Sequence, residues 1–374
     1  MQETKTIPEK SKRLLSIDAL RGFDMFFISG GAAFLYYLHG KTGLAWVDVL
    51  AVQVEHPAWN GFTFLDFIMP LFLFISGVSL TFSLGRNMEK GVAKPGLYKK
   101  AFKRMIILIL LGLVYKNSPV HLFEPWSIRY SSVLGRIGIA TFVTTLLYLN
   151  YSWKQRLLWI AGVLIAYYGA LFLIPVPGFG AGDLSFEGNL VGWVDRIIMP
   201  GILAQGTFDQ LALTSLLPSL CLTVFGSWAG EILRSKTLGE YKKLSNLVII
   251  GTSTIVIGLI WSLHFPINKH LWTSSFILLT GGMGFLALAL FYWLIDILQF
   301  RKWAFFFKVI GMNSLTIYFA YSFIDFRFTA NKLIGGLLTP FDEKWHGAFI
   351  SLGALGLVWL FLYILYRNKI FVKI

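Results

Sequence analysis

Long apolar runs separated by short polar segments dominate the sequence. Residues 105–114 and 285–295, for example, contain no charged side chain. A membrane helix needs about 20 mostly apolar residues, whereas the strands of a membrane barrel alternate apolar and polar positions. Runs long enough to cross a bilayer begin near Ser16, Phe62, Arg104, Ser131, Leu157, Leu211, Asn246, Thr273, Ala304 and Trp345. The pattern therefore predicts an all-α membrane protein, a polytopic bundle of about ten transmembrane helices.

Composition supports this class. Of the 374 residues, 56% are hydrophobic and only 14% are charged, whereas soluble domains carry about 25% charged residues. The single cysteine, Cys221, excludes an intramolecular disulfide. No linker, repeat or change in composition divides the chain. We therefore expect one transmembrane domain over residues 1–374, surrounded by the lipid bilayer.

The net charge of +14 is distributed unevenly between alternate loops. Loops on one predicted side carry 22 of the 33 lysines and arginines, and loops on the other side carry eight. The positive-inside rule places both termini in the cytoplasm. Lysines and arginines in cytoplasmic loops, which set the orientation of a membrane protein, account for the net positive charge. No nucleic-acid partner is therefore expected. The remaining basic residues, Arg21, Arg136 and Lys308, fall inside predicted spans.

Charges inside a bilayer need a partner or a function, because each costs about 2.5–3.5 kcal/mol at the helix centre. The first helix holds Asp18, Arg21 and Asp24, spaced so that Arg21 can pair with a carboxylate one turn away. One interpretation is a self-neutralised structural cluster. The other is a basic mouth for an anionic cytosolic ligand, to which Arg104 and Lys308 would add at a similar depth. The sequence leaves both open.

A second polar group lies at the outer ends of the predicted helices and comprises His56, Asn60, Asp66, Arg136, Asn268 and Lys269. A neutral imidazole can act as a base near pH 7, and Asp66 could orient the ring of His56. The alternative makes His56 an ordinary interfacial histidine, the role expected of His39, His121, His270 and His346. No metal-binding motif occurs, so no metal is expected.

Four segments resemble the heparan-α-glucosaminide N-acetyltransferase family and its bacterial homologues. Residues 15–24 (LSIDALRGFD) are similar to its opening motif, and residues 56–66 (HPAWNGFTFLD) to its histidine segment. Residues 189–196 and 265–273 also match, in the expected order. The resemblance implies a transmembrane acetyltransferase of the bacterial inner membrane. Such an enzyme takes acetyl from cytosolic acetyl-CoA and transfers it to the amino group of a glucosamine-type sugar on the extracytoplasmic side.

By this resemblance, His56 corresponds to the family's active histidine, and Asn60, Asp66, Asn268 and Lys269 line its pocket. Arg136 is added to the predicted substrate-binding residues because its predicted depth in the membrane is similar to that of Asp66. Arg21, Arg104 and Lys308 would bind the anionic 3′-phospho-ADP of the cosubstrate acetyl-CoA.

The lumenal domain of the lysosomal enzyme is expected to be absent, which favours a free or cell-wall amino sugar over heparan sulfate. Direct transfer to the sugar is favoured over an acetyl-histidine relay, because the slim pantetheine arm could carry the thioester outward. The alternative function is an amino-sugar permease without acyl transfer. Internal repeats would support a permease, and none is found. The sequence leaves a homodimer open.

Overall fold

The structure is a computed structural model that describes residues 14–117, 121 and 123–372. Its helices are α1 (Leu15–Ile28), α2 (Ala33–Leu38), α3 (Ala45–Val52), α4 (Phe64–Glu89), α5 (Lys94–Lys116), α6 (Val133–Asn150), α7 (Trp153–Leu173), α8 (Leu190–Ile198), α9 (Leu213–Arg234), α10 (Glu240–Ser262), α11 (Ser274–Phe291), α12 (Ala304–Met312), α13 (Ser314–Phe323), α14 (Phe326–Ile334) and α15 (Glu343–Arg367). A π-helical turn, Tyr292–Ile297, extends α11.

Seven of these helices are long and apolar enough to cross a membrane: α4, α6, α7, α9, α10, α15 and α11 with its extension. The pair α12 and α13 would make an eighth span, although the chain bends by 69° between them. The prediction of an all-helical, multi-pass membrane protein is therefore confirmed for the described residues.

Two of the ten predicted spans are helical but do not qualify as full spans. Helix α1 has 14 residues and is about 21 Å long, which is less than the bilayer core of about 30 Å. Helix α5 has 23 residues, but its first half is rich in lysine. The count of ten and the cytoplasmic termini remain predictions. The basic residues before Leu14, and Lys373, which also support that orientation, lie outside the described residues.

Helix α4 is the central element, and it packs closely against α9. A Cβ added to Gly77 would lie 2.0 Å from the carbonyl oxygen of Thr223, and one added to Gly226 would lie 1.9 Å from that of Phe74. The two backbones therefore touch at both glycines, as small residues allow in membrane helix pairs. This reciprocal contact fixes the position of the helix that carries Asp66.

Loops cover the N-terminal end of α4. The amide of Gly61 donates to the carbonyl of Ile267 at 3.0 Å, and the indole of Trp59 donates to the carbonyl of Leu184 at 2.8 Å. The segment before α4 is thereby joined to the loop between α10 and α11 and to the long segment between α7 and α8. These loops bring together residues that are far apart in the sequence.

Candidate active site

The N-terminus of α4 fixes Asp66 through a capping box. The amide of Thr63 donates to Oδ2 of Asp66 at 3.0 Å, and the Thr63 hydroxyl donates to the carbonyl of Glu55 at 2.6 Å. Asp66 is completely buried. Because the cap engages Oδ2, the other carboxylate oxygen remains available to a second partner.

That second partner is His56. Its Nδ1 lies 2.7 Å from Oδ1 of Asp66. A carboxylate only accepts hydrogen bonds, so Nδ1 is the donor, and in a neutral imidazole the lone pair is then on Nε2. The His56 side chain is 46% exposed, whereas that of Asp66 is 1% exposed. A buried carboxylate thus orients an accessible imidazole.

Lys269 completes this group. Its Nζ lies 3.3 Å from Oδ1 of Asp66 and 3.2 and 3.3 Å from the two ring nitrogens of His56. An ammonium almost equidistant from both nitrogens lies off the ring plane, since in the plane it would overlap the carbon between them. The Nε2 lone pair of His56 therefore points elsewhere. Burial lowers the pKa of Lys269, and the Asp66 carboxylate opposes that shift.

Two asparagines that are far apart in the sequence, Asn60 and Asn268, lie beside this group. The side-chain amide of Asn268 donates to Oδ1 of Asn60 at 3.0 Å. Asn268 is fully buried, whereas Asn60 is exposed. The backbone amide of Leu271 donates to Oδ1 of Asn268 at 2.9 Å and fixes its orientation. A buried asparagine therefore holds the side chain of an exposed one beside Lys269.

Helix α4, beyond its first two turns, lines a cavity of about 380 Å³. Arg21 and Arg104 both face it, together with three serines of α4, Ser76, Ser79 and Ser83. Arg21 donates to the Ser79 hydroxyl and lies 3.7 Å from Asp18. The charged cluster of α1 therefore contains an internal ion pair and also lines a cavity, so it combines features of both interpretations of its sequence.

Lys308 faces a neighbouring pocket of about 520 Å³, with Arg367, Lys369 and Asp18 also in its wall. Its Nζ donates to the hydroxyl of Tyr366 at 3.1 Å. The structure thus brings Arg21 and Arg104 to one cavity and Lys308 to the next. Met312 lines both cavities.

Helix α4 connects the two polar regions. The first α4 residue that lines this cavity is Phe72, which lies six residues from Asp66, or about 9 Å at 1.5 Å per residue. Ser83, near the other end of the cavity, lies about 26 Å from Asp66 on the same measure. The histidine site therefore lies at the N-terminal end of α4, and Ser79, which Arg21 contacts, lies about 20 Å further along the same helix.

Comparison with known proteins assigns the family. A family model for heparan-alpha-glucosaminide N-acetyltransferase, catalytic, matches residues 13–266. The chain belongs to this family. Two relatives carry the name heparan-alpha-glucosaminide N-acetyltransferase. The Homo sapiens protein is 26% identical over 97% of this chain and 60% of its own length. The Mus musculus protein is 25% identical over 100% of this chain and 62% of its own length. The chain thus spans about three-fifths of the length of these relatives.

The matched range contains part of the site. His56, Asn60 and Asp66 lie within it, whereas Asn268 and Lys269 lie just beyond its end. Among residues 14–117, 121 and 123–372, no group of three or more His, Cys, Asp or Glu side chains could hold a metal ion.

The structure separates Arg136 from the other predicted site residues. It is buried in α6, where it donates to Ser215 at 2.6 Å and lies over the ring of Trp272, 4.7 Å from the centroid. No contact observed among the described residues joins it to His56. Five of the six residues predicted for the outer polar group thus lie together, and Arg136 lies apart from them.

Sequence reasoning missed two contributors to the site. Thr63 caps α4, and its spacing to Asp66, a threonine three residues before an acidic residue, was the available signal. His270, expected to be an ordinary interfacial histidine, stacks on Trp59 with ring centroids 5.1 Å apart. Burial and then the charge of Lys269 lower the pKa of His270, and the ring also interacts electrostatically with Asp66 and His56. No sequence signal distinguished it.

Proposed function

We propose that this chain is an acetyl-CoA-dependent amino-sugar N-acetyltransferase of a bacterial inner membrane. It takes the acetyl group from cytosolic acetyl-CoA and transfers it to a glucosamine-type sugar on the extracytoplasmic side. The observation that carries the proposal is the arrangement along α4. An oriented histidine, His56, lies at one end of this helix, and a cavity lined by Arg21 and Arg104 lies toward the other.

His56 acts as the base in the proposed reaction. Its Nε2 takes one proton from the sugar ammonium, and the neutral amine attacks the thioester carbonyl. The nitrogen–carbon bond forms and the carbon–sulfur bond breaks. The second amine proton goes to the departing sulfur, so the products are the amide, CoA thiol and one proton on His56 that passes to solvent. Asp66 keeps the ring in the required tautomer and stabilises the imidazolium.

Lys269 stabilises the transition state in this scheme. Its ammonium lies 3.2 Å from Nε2 of His56, close to where the amine meets the carbonyl. The thioester oxygen gains negative charge as the amine attacks, and a fixed cation at low dielectric stabilises that charge. Asn60 and Asn268 supply hydrogen bonds for sugar hydroxyls.

Acetyl-CoA is the proposed cosubstrate. Arg21 and Arg104 match the phosphate groups of its nucleotide, because guanidinium forms strong, directional hydrogen bonds to phosphate. Lys308 adds a cation from the adjacent pocket. We favour direct transfer over an acetyl-histidine relay, because Arg21 contacts Ser79, roughly 20 Å along α4 from Asp66, and an extended pantetheine arm is of about that length.

The permease alternative has no observation in its favour. Membership in an acetyltransferase family supports transfer chemistry, and an oriented histidine with a lysine beside it is what that chemistry needs.

The test compares two histidines that have similar surroundings. His56 and His39 are 46% and 42% exposed, and each lies beside a carboxylate. His56→Ala should abolish acetylation of glucosamine by acetyl-CoA in the purified protein, because the base is lost. His39→Ala should retain wild-type turnover. Activity of His56→Ala within a few-fold of wild type would remove His56 from the mechanism.

A further inference from the structure

Arg136 is a buried cation in an unusual environment. Its side chain donates to the carbonyls of Gln210 and Ala212 at 3.0 and 3.2 Å and to the Ser215 hydroxyl at 2.6 Å. These are neutral oxygens, and no ion pair within the described ranges includes it. Its Nε and Nη1 atoms are buried without a partner there. A charge held this way is expensive, so it calls for a function.

The guanidinium of Arg136 stacks on the ring of Trp272. The distance from Cζ to the ring centroid is 4.7 Å, which is within cation–π range. The indole of Trp272 also donates to the carbonyl of Gln210 at 3.0 Å. Arg136 and Trp272 therefore share one acceptor as well as a stacking contact, and the tryptophan is only 1% exposed.

Trp272 has a backbone conformation that its surroundings must maintain. Its φ is +51°, which is rare for a bulky residue. Such residues persist where neighbouring contacts over-determine them. The Arg136 guanidinium and the Gln210 carbonyl supply those contacts on the side-chain side.

The strained residue closes the turn that carries two site residues. The amide of Trp272 donates to the carbonyl of Lys269 at 3.3 Å, and the amide of Thr273 donates to that of Asn268 at 3.2 Å. A change in the Trp272 backbone would therefore move Lys269 relative to His56. The contacts run without a gap from Arg136 to the site.

We propose that Arg136 is a positioning residue that acts through Trp272 on the turn formed by residues 268–273. It keeps Lys269 and Asn268 against His56 and Asn60, and it does not itself contact the sugar. This proposal rests on the proposed function, in which Lys269 and Asn268 serve acetyl transfer.

The kinetic test uses Arg136→Gln with Arg156→Gln as its matched control. Arg156 is also a buried arginine over an aromatic ring, 5.1 Å from the centroid of Tyr148, but it bonds to Ser227 and Glu231 instead of the turn. Arg136→Gln should lower kcat on the order of 10²-fold, the effect of displacing a reacting group by about 1 Å. The KM for acetyl-CoA should not change, and Arg136→Lys should recover part of the activity. Arg156→Gln should keep the wild-type kcat.

The route through Trp272 is tested by a double variant. Trp272→Leu should lower kcat as Arg136→Gln does, and combining the two should cost no more than either alone, because coupled residues are non-additive. Multiplied losses would show that Arg136 acts independently of Trp272. A raised amino-sugar KM with normal kcat would instead make Arg136 a substrate-binding residue, and normal kcat in a less stable protein would make it merely structural.

A readout independent of activity separates this proposal from the proposed function. Lys269 is only 11% exposed at its side chain, so a water-soluble amine-labelling reagent should modify it slowly in the wild type. Labelling of Lys269 should become several-fold faster in Arg136→Gln. If that variant does not fold, Trp272→Phe should show the same increase. Unchanged labelling in the folded variant overturns the positioning role. A wild type inactive on amino sugars, with labelling that responds as stated, overturns only the proposed function.

Discussion

Asp66→Asn tests how His56 is prepared for catalysis. The substitution keeps a side-chain oxygen that can accept from the Thr63 amide, so the N-terminal cap of α4 should survive. It removes the negative charge that lies 2.7 Å from Nδ1 of His56 and 3.3 Å from the Lys269 ammonium. An asparagine amide can also donate to Nδ1, which would put the ring proton on Nε2 and remove the base.

The expected loss follows from those contacts. A hydrogen bond to a charged group contributes about 1.5–3 kcal/mol, and about 1.4 kcal/mol is tenfold in rate. Loss of that bond alone lowers kcat by roughly 10- to 100-fold on this arithmetic. The wrong tautomer adds to this, since an asparagine that replaces the aspartate of a catalytic triad costs about 10⁴-fold. We therefore expect kcat to fall by about 10²- to 10⁴-fold.

The assay is turnover of acetyl-CoA with glucosamine by purified protein, together with thermal unfolding. The matched control is Asp48→Asn, which changes another first-turn carboxylate, one that accepts from the Gly40 amide at 2.7 Å. The control should keep its kcat. A loss of less than about tenfold for a stable Asp66→Asn would refute the orienting role.

Three further predictions concern the lysine, the cavity and the packing. Because burial lowers the pKa of Lys269, kcat should fall as the pH rises through a value below the ordinary lysine range. In a pH–rate profile, Lys269→Arg should move this fall in kcat to higher pH. A fall at an unchanged pH would assign the titration to another group. Arg21→Gln should raise the acetyl-CoA KM by about tenfold or more through loss of a charged hydrogen bond; a folded variant with normal KM contradicts this. Gly226→Ala should destabilise the protein by about 1–3 kcal/mol through overpacking, measured by thermal unfolding in detergent. Gly162→Ala should not, because no atom lies within 4 Å of the added Cβ.

The local part of the site was predictable from the sequence. His56 and Asp66 are ten residues apart, on either side of a helix start, so spacing alone suggested their contact. The contact between Lys269 and His56 spans 213 positions; predicted depth placed both residues at the same end of the bundle, and the family resemblance placed them in one pocket. Arg136 shared the depth of these residues, but depth along the membrane normal says nothing about lateral neighbours. Its contacts are with Trp272, with the chain just before α9 and with the first turn of α9.

Hydrophobic runs predicted the bundle but not where its helices break. The apolar run that contains α1 continues past residue 30, yet the helix ends at Ile28, and Gly30 turns the chain with a φ of +71°. Similarly, the run that begins near Ala304 is interrupted at Asn313, where α12 and α13 diverge by 69°. Hydropathy measures the apolar character of a segment, and a turn made of glycine or asparagine changes direction with little effect on that measure.

The transfer of acetyl across the membrane is the central claim, and vesicles of known orientation test it most directly. With the protein inserted in one orientation, acetyl-CoA is supplied on the side of the termini and an impermeant amino sugar on the side of His56. We expect acetylated sugar in this arrangement. Donor supplied only on the His56 side should give none, because its charged nucleotide cannot cross the hydrocarbon. Product that forms only when donor and acceptor share one side would contradict the account.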